Sequence, residues 1–300
     1  MAVSIVPAAA LHPTALDAHK PPGASRCHTA TRHGSAPHQA GTDDRLAFTF
    51  TPDGPHGCSE FTISLAFVDG HVFVTERGRQ FPLGIVPFLS LLHEPDLIVS
   101  ILPSVLARPL RALGLLHAFA ENDLLLHCRM AGFGPIPGTE LVASTLMYDL
   151  ADEPCEPGAV LIVLETPPAH AQSYRGFALP EEQTGYTRAR DLLAVAHVTP
   201  VDGCESHGRL DFTAVGKVRL PISRWLLPSP LIRWFLPFLF GLAFPYLCKL
   251  NATFEESALH ARVLADSGGF YAALERRLPA MRRHAEQRRP RAVGVAAVCS

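Results

Sequence analysis

The stretch from residue 209 to residue 250 constrains the fold of this chain more than any other part of the sequence. From Arg209 to Val218, charged or hydroxyl side chains largely alternate with apolar ones, which is the pattern of a strand with one solvated face. After Leu220-Pro221 the chain becomes apolar, carries two tryptophans and is interrupted by prolines as far as Leu250. A strand that leads into a long apolar helix predicts a sheet packed against a helix near the C-terminus.

Similar patterns predict further strands. Residues 61–67 and 71–75 flank Asp69-Gly70, a pair that favours a hairpin with a type I′ turn. Residues 124–130 alternate in the same way, and we expect Asp123, His127 and Arg129 to lie on their solvated face. Additional strands are expected at 141–150, 159–165 and 192–199.

Short helices are expected after the first hairpin. Apolar residues recur at helical spacing over 88–92 and over 98–116, and prolines at 95, 103 and 109 divide these runs. Strands and helices together predict an α+β fold, in which a curved antiparallel β-sheet wraps around a long C-terminal helix and short helices follow the first strands.

The two ends of the chain differ from the rest in composition. Residues 1–45 are rich in Ala, Pro, His, Ser and Thr and poor in acidic residues, which is typical of a disordered segment or of an organelle transit peptide. Residues 281–300 form a basic tail, expected to be a solvated, loose terminus or a contact with anionic lipid headgroups. A single folded domain is therefore predicted over residues 46–280.

Composition and motifs exclude several classes of function. The chain has 28 acidic and 26 basic side chains, so it lacks the basic excess with which nucleic-acid-binding proteins attract phosphates. Its seven cysteines form no C-x-x-C pair, which favours reduced thiols in an intracellular protein, cytoplasmic or organellar, over a zinc site or a disulfide framework. The sequence contains no nucleophile elbow, phosphate-binding loop, dinucleotide fingerprint or H-E-x-x-H motif. We expect no metal, no cofactor and no catalytic residue.

Some ionisable residues nevertheless lie at or near predicted strands, where a side chain can face a cavity and act as an acid or base. They are His127, Glu140, Asp149, Glu165 and His197. A solvated charge at the end of a strand is the alternative interpretation of each.

Several segments resemble the START (steroidogenic acute regulatory protein-related lipid transfer) domain. The run 87–97 with Leu102-Pro103-Ser104 is similar to its early helical segment, and residues 122–149 and 160–168 are similar to its middle strands. Residues 185–221 are similar to its last two strands, and the chain after Pro221 to its closing helix. The resemblance covers most of residues 60–280.

This resemblance implies a helix-grip protein that binds, or binds and transfers, a lipid or another hydrophobic small molecule. Its partners would be that ligand and, transiently, a membrane surface; a monomer is expected. The predicted cavity is lined from two strands and from one helical face whose residues follow the spacing i, i+3, i+4, i+7 and i+11. The strand residues are Leu124, Leu126, Cys128, Met130, Leu210, Phe212 and Ala214, and the helical residues are Leu231, Trp234, Phe235, Phe238 and Leu242.

Three alternatives stay open at this point. The same side chains could fill a packed interior, as in a scaffold without a cavity, and related helix-grip folds include cyclases and aromatases. The uncharged run 234–248 is shorter than the ~20 residues that cross a bilayer. Shallow insertion of Trp225, Trp234 and Tyr246 at a membrane surface is therefore favoured over spanning.

Overall fold

The computed structural model describes residues 2–4, 44–51, 60–132, 137–150, 158–201, 208–219, 244–266 and 269–288. Its strands are β1 Ala2–Ser4, β2 Asp44–Thr51, β3 Glu60–Val68, β4 His71–Phe81, β5 Leu110–Ala120, β6 Asp123–Met130, β7 Gly138–Asp149, β8 Val160–Glu165, β9 Ser173–Tyr174, β10 Phe177–Ala178, β11 Tyr186–Arg188, β12 Arg190–Val201 and β13 Arg209–Arg219. Its helices are α1 Ile85–His93, α2 Pro95–Ile101, α3 Ser104–Ala107, α4 over 244–252, α5 Ala258–Ala265 and α6 Phe270–Arg288, with a 3-10 turn at Phe254–Glu256.

One large sheet organises the molecule. Its strand order is β1-β2-β3-β4-β13-β12-β8-β7-β6-β5, and every neighbouring pair on this path is antiparallel. The short strand β11 adds a parallel pairing to the start of β7. A large antiparallel sheet with several helices, the last of them near the C-terminus, confirms the predicted α+β class.

The first hairpin forms where the Asp-Gly pair predicts it. Asp69 and Gly70 have φ angles of 50° and 79°, as a type I′ turn requires, and strand β4 pairs with β3 on one side and with β13 on the other. Strands β6, β7, β8, β12 and β13 also lie where alternation predicts them.

The helix expected to reach residue 116 is wrong beyond Pro109. Residues 85–107 form three short helices separated near prolines, as predicted, but Leu110–Ala120 is strand β5. Pro109 disfavours a continuous helix, because its ring clashes with the preceding turn and its nitrogen has no hydrogen to donate. From Leu110 the chain instead hydrogen bonds along β6, with register shifts that blur its alternation.

The strand registers define two faces of the sheet. We call the side that packs against the helices the inner face and the opposite side the outer face. The main core lies on the inner face, where buried side chains of β3, β4, β7, β8, β12 and β13 meet those of α1, α4, α5 and α6. At one edge of this layer, Arg277 of α6 donates a hydrogen bond of 2.7 Å to Asp149 of β7.

The outer face of β6 and β7 differs from the prediction. Asp123 is only 9% exposed, and His127 is also largely covered. The cover is the connection from β8 to β12, residues 166–189, which we call the outer strap. Period-two alternation correctly separates the two faces here, but it cannot show that a later segment covers the polar one.

Candidate ligand-binding face

All seven strand residues predicted to line a cavity lie on the inner face. On β6, Leu124 is fully buried, Leu126 and Cys128 are half-buried, and burial raises the pKa of the Cys128 thiol. Met130 at the end of the same strand is 43% exposed. On β13, Leu210 and Phe212 are buried and Ala214 is half-buried.

The two groups of predicted lining residues are well separated on this face. Strands β12, β8 and β7 lie between β13 and β6, so four strand spacings put the groups roughly 19 Å apart along the sheet. The five predicted helical residues between 231 and 242 fall outside the described ranges. The seven strand residues lie on the inner face, and their contact with a ligand stays a prediction, as does that of the five helical residues.

Aromatic packing fills the inner face near β3, β4 and β13. The ring of Phe212 lies 5.4 Å from Phe81, 5.7 Å from Phe61 and 6.4 Å from Phe88, measured between centroids. Phe244 of α4 adds an edge contact of 5.8 Å to Phe81. Phe212 also covers Gly78, where any side chain would clash with the ring. Phe212 is thus a core residue that fills the inner face where β4 and β13 pair.

Small side chains occupy the middle of the same face. Ala196 pairs with Ala214, and Ala194 pairs with Gly216, across β12 and β13. A Cβ at Gly216 would come within 2.8 Å of the Ala194 methyl group, so this pair is as close as two small residues allow. Short side chains leave a depression in the sheet surface that larger groups from the opposite layer, or a ligand, can occupy.

The inner face is open at its β5 end. Leu115 of β5 is 47% exposed, and Met130 of β6, which pairs with Leu110 of β5, is 43% exposed. Helix α2 packs on β5, yet Val99 of α2 and Val105 of α3 remain exposed. Exposed apolar side chains mark a ligand or membrane contact where they form one continuous patch.

Polar groups on the otherwise apolar inner face include Glu76 and Thr145. Glu76 of β4 lies between Ile63 of β3 and Ala214 of β13, and burial raises the pKa of its carboxyl group above the ordinary value of 4.5. Thr145 of β7 is fully buried, and among the described residues its hydroxyl group has no hydrogen-bond partner. Such groups fix the orientation of ligands in apolar sites.

We expect the stability of the protein to report the raised pKa of Glu76. A folded-state pKa above the unfolded value stabilises the protein most below pH 4.5, and this contribution is lost as pH rises through the folded-state pKa. Glu76→Gln removes the contribution, so the variant should gain stability relative to the native chain as pH rises above 4.5. Urea unfolding at several pH values measures the difference; parallel pH profiles would contradict it.

The outer face carries a buried cluster of charges instead of a cavity. Arg188 of β11 donates two hydrogen bonds, of 2.7 and 2.9 Å, to Oε2 of Glu140, and His127 Nε2 lies 2.9 Å from Oε1. Glu140 is 1% exposed, and Arg188 also donates to the carbonyl of Pro180 in the outer strap. Both oxygens of this carboxylate have partners, and the cluster anchors the strap to the sheet.

Further contacts hold the outer strap. Arg175 pairs with Asp123 and lies over the rings of Phe119 and Tyr174, and the Tyr174 hydroxyl donates a 2.8 Å hydrogen bond to Glu165. Of the acid and base candidates in the sequence, His127 and Glu140 are therefore brought together, while Glu165 and Asp149 pair with other partners. None of these pairs faces the middle of the inner face.

A small cleft lies between Val142 and the outer strap. Its volume is about 40 Å³, and prolines, alanines and the side chains of His170, Glu182 and Arg190 line it. This space holds a few water molecules, whereas sites for small molecules measure about 300 Å³ or more. The cleft is too small for a lipid.

Searches of the described residues for two other kinds of site gave negative results. Within the described ranges, no three His, Cys, Asp or Glu side chains are grouped to hold a metal ion. No helix in the part of the chain that the structure describes is long and apolar enough to cross a membrane.

Comparisons with known proteins give structural neighbours at low identity. No family model and no curated protein sequence matches the chain. It is similar to human STARD10, with 8% identity, a TM-score of 0.48, and coverage of 78% of this chain and 83% of that one. The lipid transfer and protein localization domain of human StarD13 follows with 11% identity, a TM-score of 0.40, and coverage of 67% and 87%. A STAR-related lipid transfer protein of Xanthomonas axonopodis is also similar, with 15% identity, a TM-score of 0.42, and coverage of 68% of this chain and 98% of that one.

Proposed function

We propose that this protein binds a lipid or another hydrophobic small molecule between the inner face of its sheet and the helices, without catalysing a reaction on it. The observation that carries this proposal is the change in packing along the inner face. Aromatic rings fill it at β4 and β13, small side chains lie at its middle, and apolar side chains are exposed at β5 and β6. A ligand that lies along this face covers surface that the described residues leave open.

The energetics of such a ligand follow from its chain length. Each methylene group that leaves a bilayer for water costs about 0.8 kcal/mol, so a carrier must enclose most of the chain. The half-buried side chains of Leu113, Leu126 and Leu141 supply apolar contact next to the exposed Leu115. Residues 231–242 complete the enclosure in this proposal, as a lid with one apolar face.

Exchange of the ligand requires contact with a membrane. Tyr246 of α4 is 39% exposed, and it follows directly on the apolar stretch that carries Trp225 and Trp234. Aromatic rings of this kind favour the membrane interface. We propose that the protein acts inside the cell as a monomer that visits membranes peripherally and transfers its ligand there.

The lid assignment gives a direct test of the proposal. Trp234→Asp combined with Phe238→Asp places two charges on the predicted apolar face and should reduce uptake of a pyrene-labelled lipid from vesicles by at least about tenfold, because a charge opposed to an apolar chain is costly. Circular dichroism should show an unchanged sheet.

A matched control separates this effect from a general effect of charge. Leu264 and Tyr148 are 69% and 45% exposed, and Asp at both positions should leave uptake unchanged. Normal uptake by the Trp234 and Phe238 variant would remove the lid from the proposal. If the native chain itself takes up no lipid, the proposed function is wrong.

A further inference from the structure

Glu76 stands where the pattern of its strand calls for an apolar residue. Along β4, Val72, Val74 and Gly78 share its face, and its register partners are Ile63 and Ala214. Ile63 is 3% exposed and belongs to the main core. An acidic side chain has therefore been placed among apolar ones, on the face that the proposed function assigns to the ligand.

The carboxyl group of Glu76 lacks a partner within the described part of the chain. No hydrogen bond or ion pair is formed to it by any described residue, and desolvation is the cause of its raised pKa. Asp149 of β7 is another carboxylate on the inner face, and it is paired with Arg277 of α6. Since an unsatisfied polar group in an apolar setting destabilises a protein, Glu76 is a candidate for satisfaction by a ligand.

The neighbours of Glu76 differ on its two sides. Toward Gly78 the ring of Phe212 already occupies the surface. Toward β13 and β12, the neighbours across the sheet are Ala214 and then Ala196, which carry only a methyl group each. The carboxyl group thus borders the small side chains at the middle of the inner face.

Thr145 supplies an independent polar point on the same face. Its hydroxyl group is buried without a partner among the described residues, between Leu124 and Leu164 of the neighbouring strands. Four strand spacings separate β7 from β4, so Thr145 and Glu76 lie roughly 19 Å apart along the sheet. Since Thr145 is fully buried, it lies in the packed part of this face.

We infer that Glu76 binds a hydroxyl group of a neutral amphiphile whose apolar part lies on the inner face, along the small side chains of β13 and β12. This inference rests on the proposed function. A carboxyl group in an apolar site pairs well with a neutral hydroxyl group, which both donates and accepts a hydrogen bond. A phosphate or a fatty-acid carboxylate at the same place would face a second negative charge whenever Glu76 is ionised, so a neutral headgroup is favoured at this position.

A matched pair of probes tests the inference on the full chain. We would titrate the protein with a pyrene-labelled long-chain alcohol and with the methyl ether of the same alcohol, which loses the donor. The native protein should bind the alcohol about 3- to 10-fold more tightly, the range expected for one buried hydrogen bond. Glu76→Leu should bind both probes equally, and Glu76→Gln, which still donates and accepts, should keep most of the preference.

Two controls keep the result interpretable. Glu60→Leu removes an exposed acidic residue from the neighbouring strand β3 and should leave the preference unchanged. Glu76→Leu should be at least as stable as the native chain when empty, because it removes a carboxyl group without a partner. A large loss of stability in this variant would assign Glu76 to a contact within the protein and overturn the inference.

The binding outcomes distinguish a failure of the role of Glu76 from a failure of the proposed lipid-binding function. Binding of both probes with equal affinity by the native protein would overturn the role of Glu76 and leave lipid binding standing. A preference that survives in Glu76→Leu would do the same and would place the hydroxyl group elsewhere on the face. No binding of either probe would contradict the proposed function itself.

Discussion

Replacing Arg188 with Met should destabilise the protein by about 3 to 5 kcal/mol, because the change leaves a buried carboxylate without its counter-charge. Glu140 is 1% exposed, and Arg188 provides two of its hydrogen bonds as well as a bond to the Pro180 carbonyl. His127 alone cannot compensate, since it contacts the other oxygen. Urea unfolding followed by circular dichroism measures the loss.

Three companion variants show whether the buried pair is the cause. Arg188→Lys keeps the charge but loses the planar fork and should fall between Met and the native residue. Arg188→Met combined with Glu140→Met should recover much of the loss, because it removes the unpaired charge. Arg190 lies two residues after Arg188 and forms an exposed ion pair with Glu182. Arg190→Met breaks this pair and should cost less than about 1 kcal/mol. Equal losses for Arg188→Met and Arg190→Met would contradict the account of the cluster.

Phe212→Ala is the second change with a large expected effect, a loss of about 3 to 5 kcal/mol in the free energy of unfolding. The ring contacts three other phenylalanines, covers Gly78 and is 9% exposed. Since Gly78 has no side chain, the lost ring would leave a void that the backbone there cannot refill. Chemical denaturation gives the value directly.

Matched substitutions locate this effect on the inner face. Phe212→Leu keeps most of the volume and should cost about 1 to 2 kcal/mol. Phe119→Ala removes a half-buried ring from the outer face and should cost less than Phe212→Ala. If Phe119→Ala were the more damaging change, the stability of the fold would depend on the outer strap rather than on the inner aromatic cluster.

Strand positions were the most predictable part of the structure. In β13, Asp211 and Thr213 are exposed while Leu210 and Phe212 are buried, so a two-residue period is visible because one face meets solvent and the other meets helices. The Asp69-Gly70 turn was predictable because its two positive φ angles need these residue types.

The edge strand β5 was not predictable in the same way. Its register shifts against β6 displace apolar residues from strict alternation, and Leu110, Leu113 and Leu116 then mimic a helical spacing. The hydrogen bonds of β6 decide its conformation, and such tertiary pairing leaves no local signal.

The outer strap was also invisible in the sequence. Its strands β9, β10 and β11 have two or three residues each, too few for a periodic pattern. Arg188 and Glu140 are 48 positions apart, so their pairing depends on the parallel contact of β11 with β7.

Glu76, in contrast, did leave a signal that sequence analysis can use. In β4 it occupies the phase of Val72 and Val74, so alternation alone places it on the apolar face. An acidic residue at an apolar position of an alternating strand is a candidate for ligand contact.

Native mass spectrometry of the full-length protein tests the central claim most directly. The chain is expressed in cells, purified without added lipid, and measured under native and then denaturing conditions, with identification of any molecule released. We expect one neutral, hydroxyl-bearing lipid per protein chain, lost on denaturation and absent from the Trp234 and Phe238 double variant. A protein that carries no adduct, and that stays without one after incubation with neutral lipid vesicles, would contradict the assignment of the inner face as a ligand-binding site.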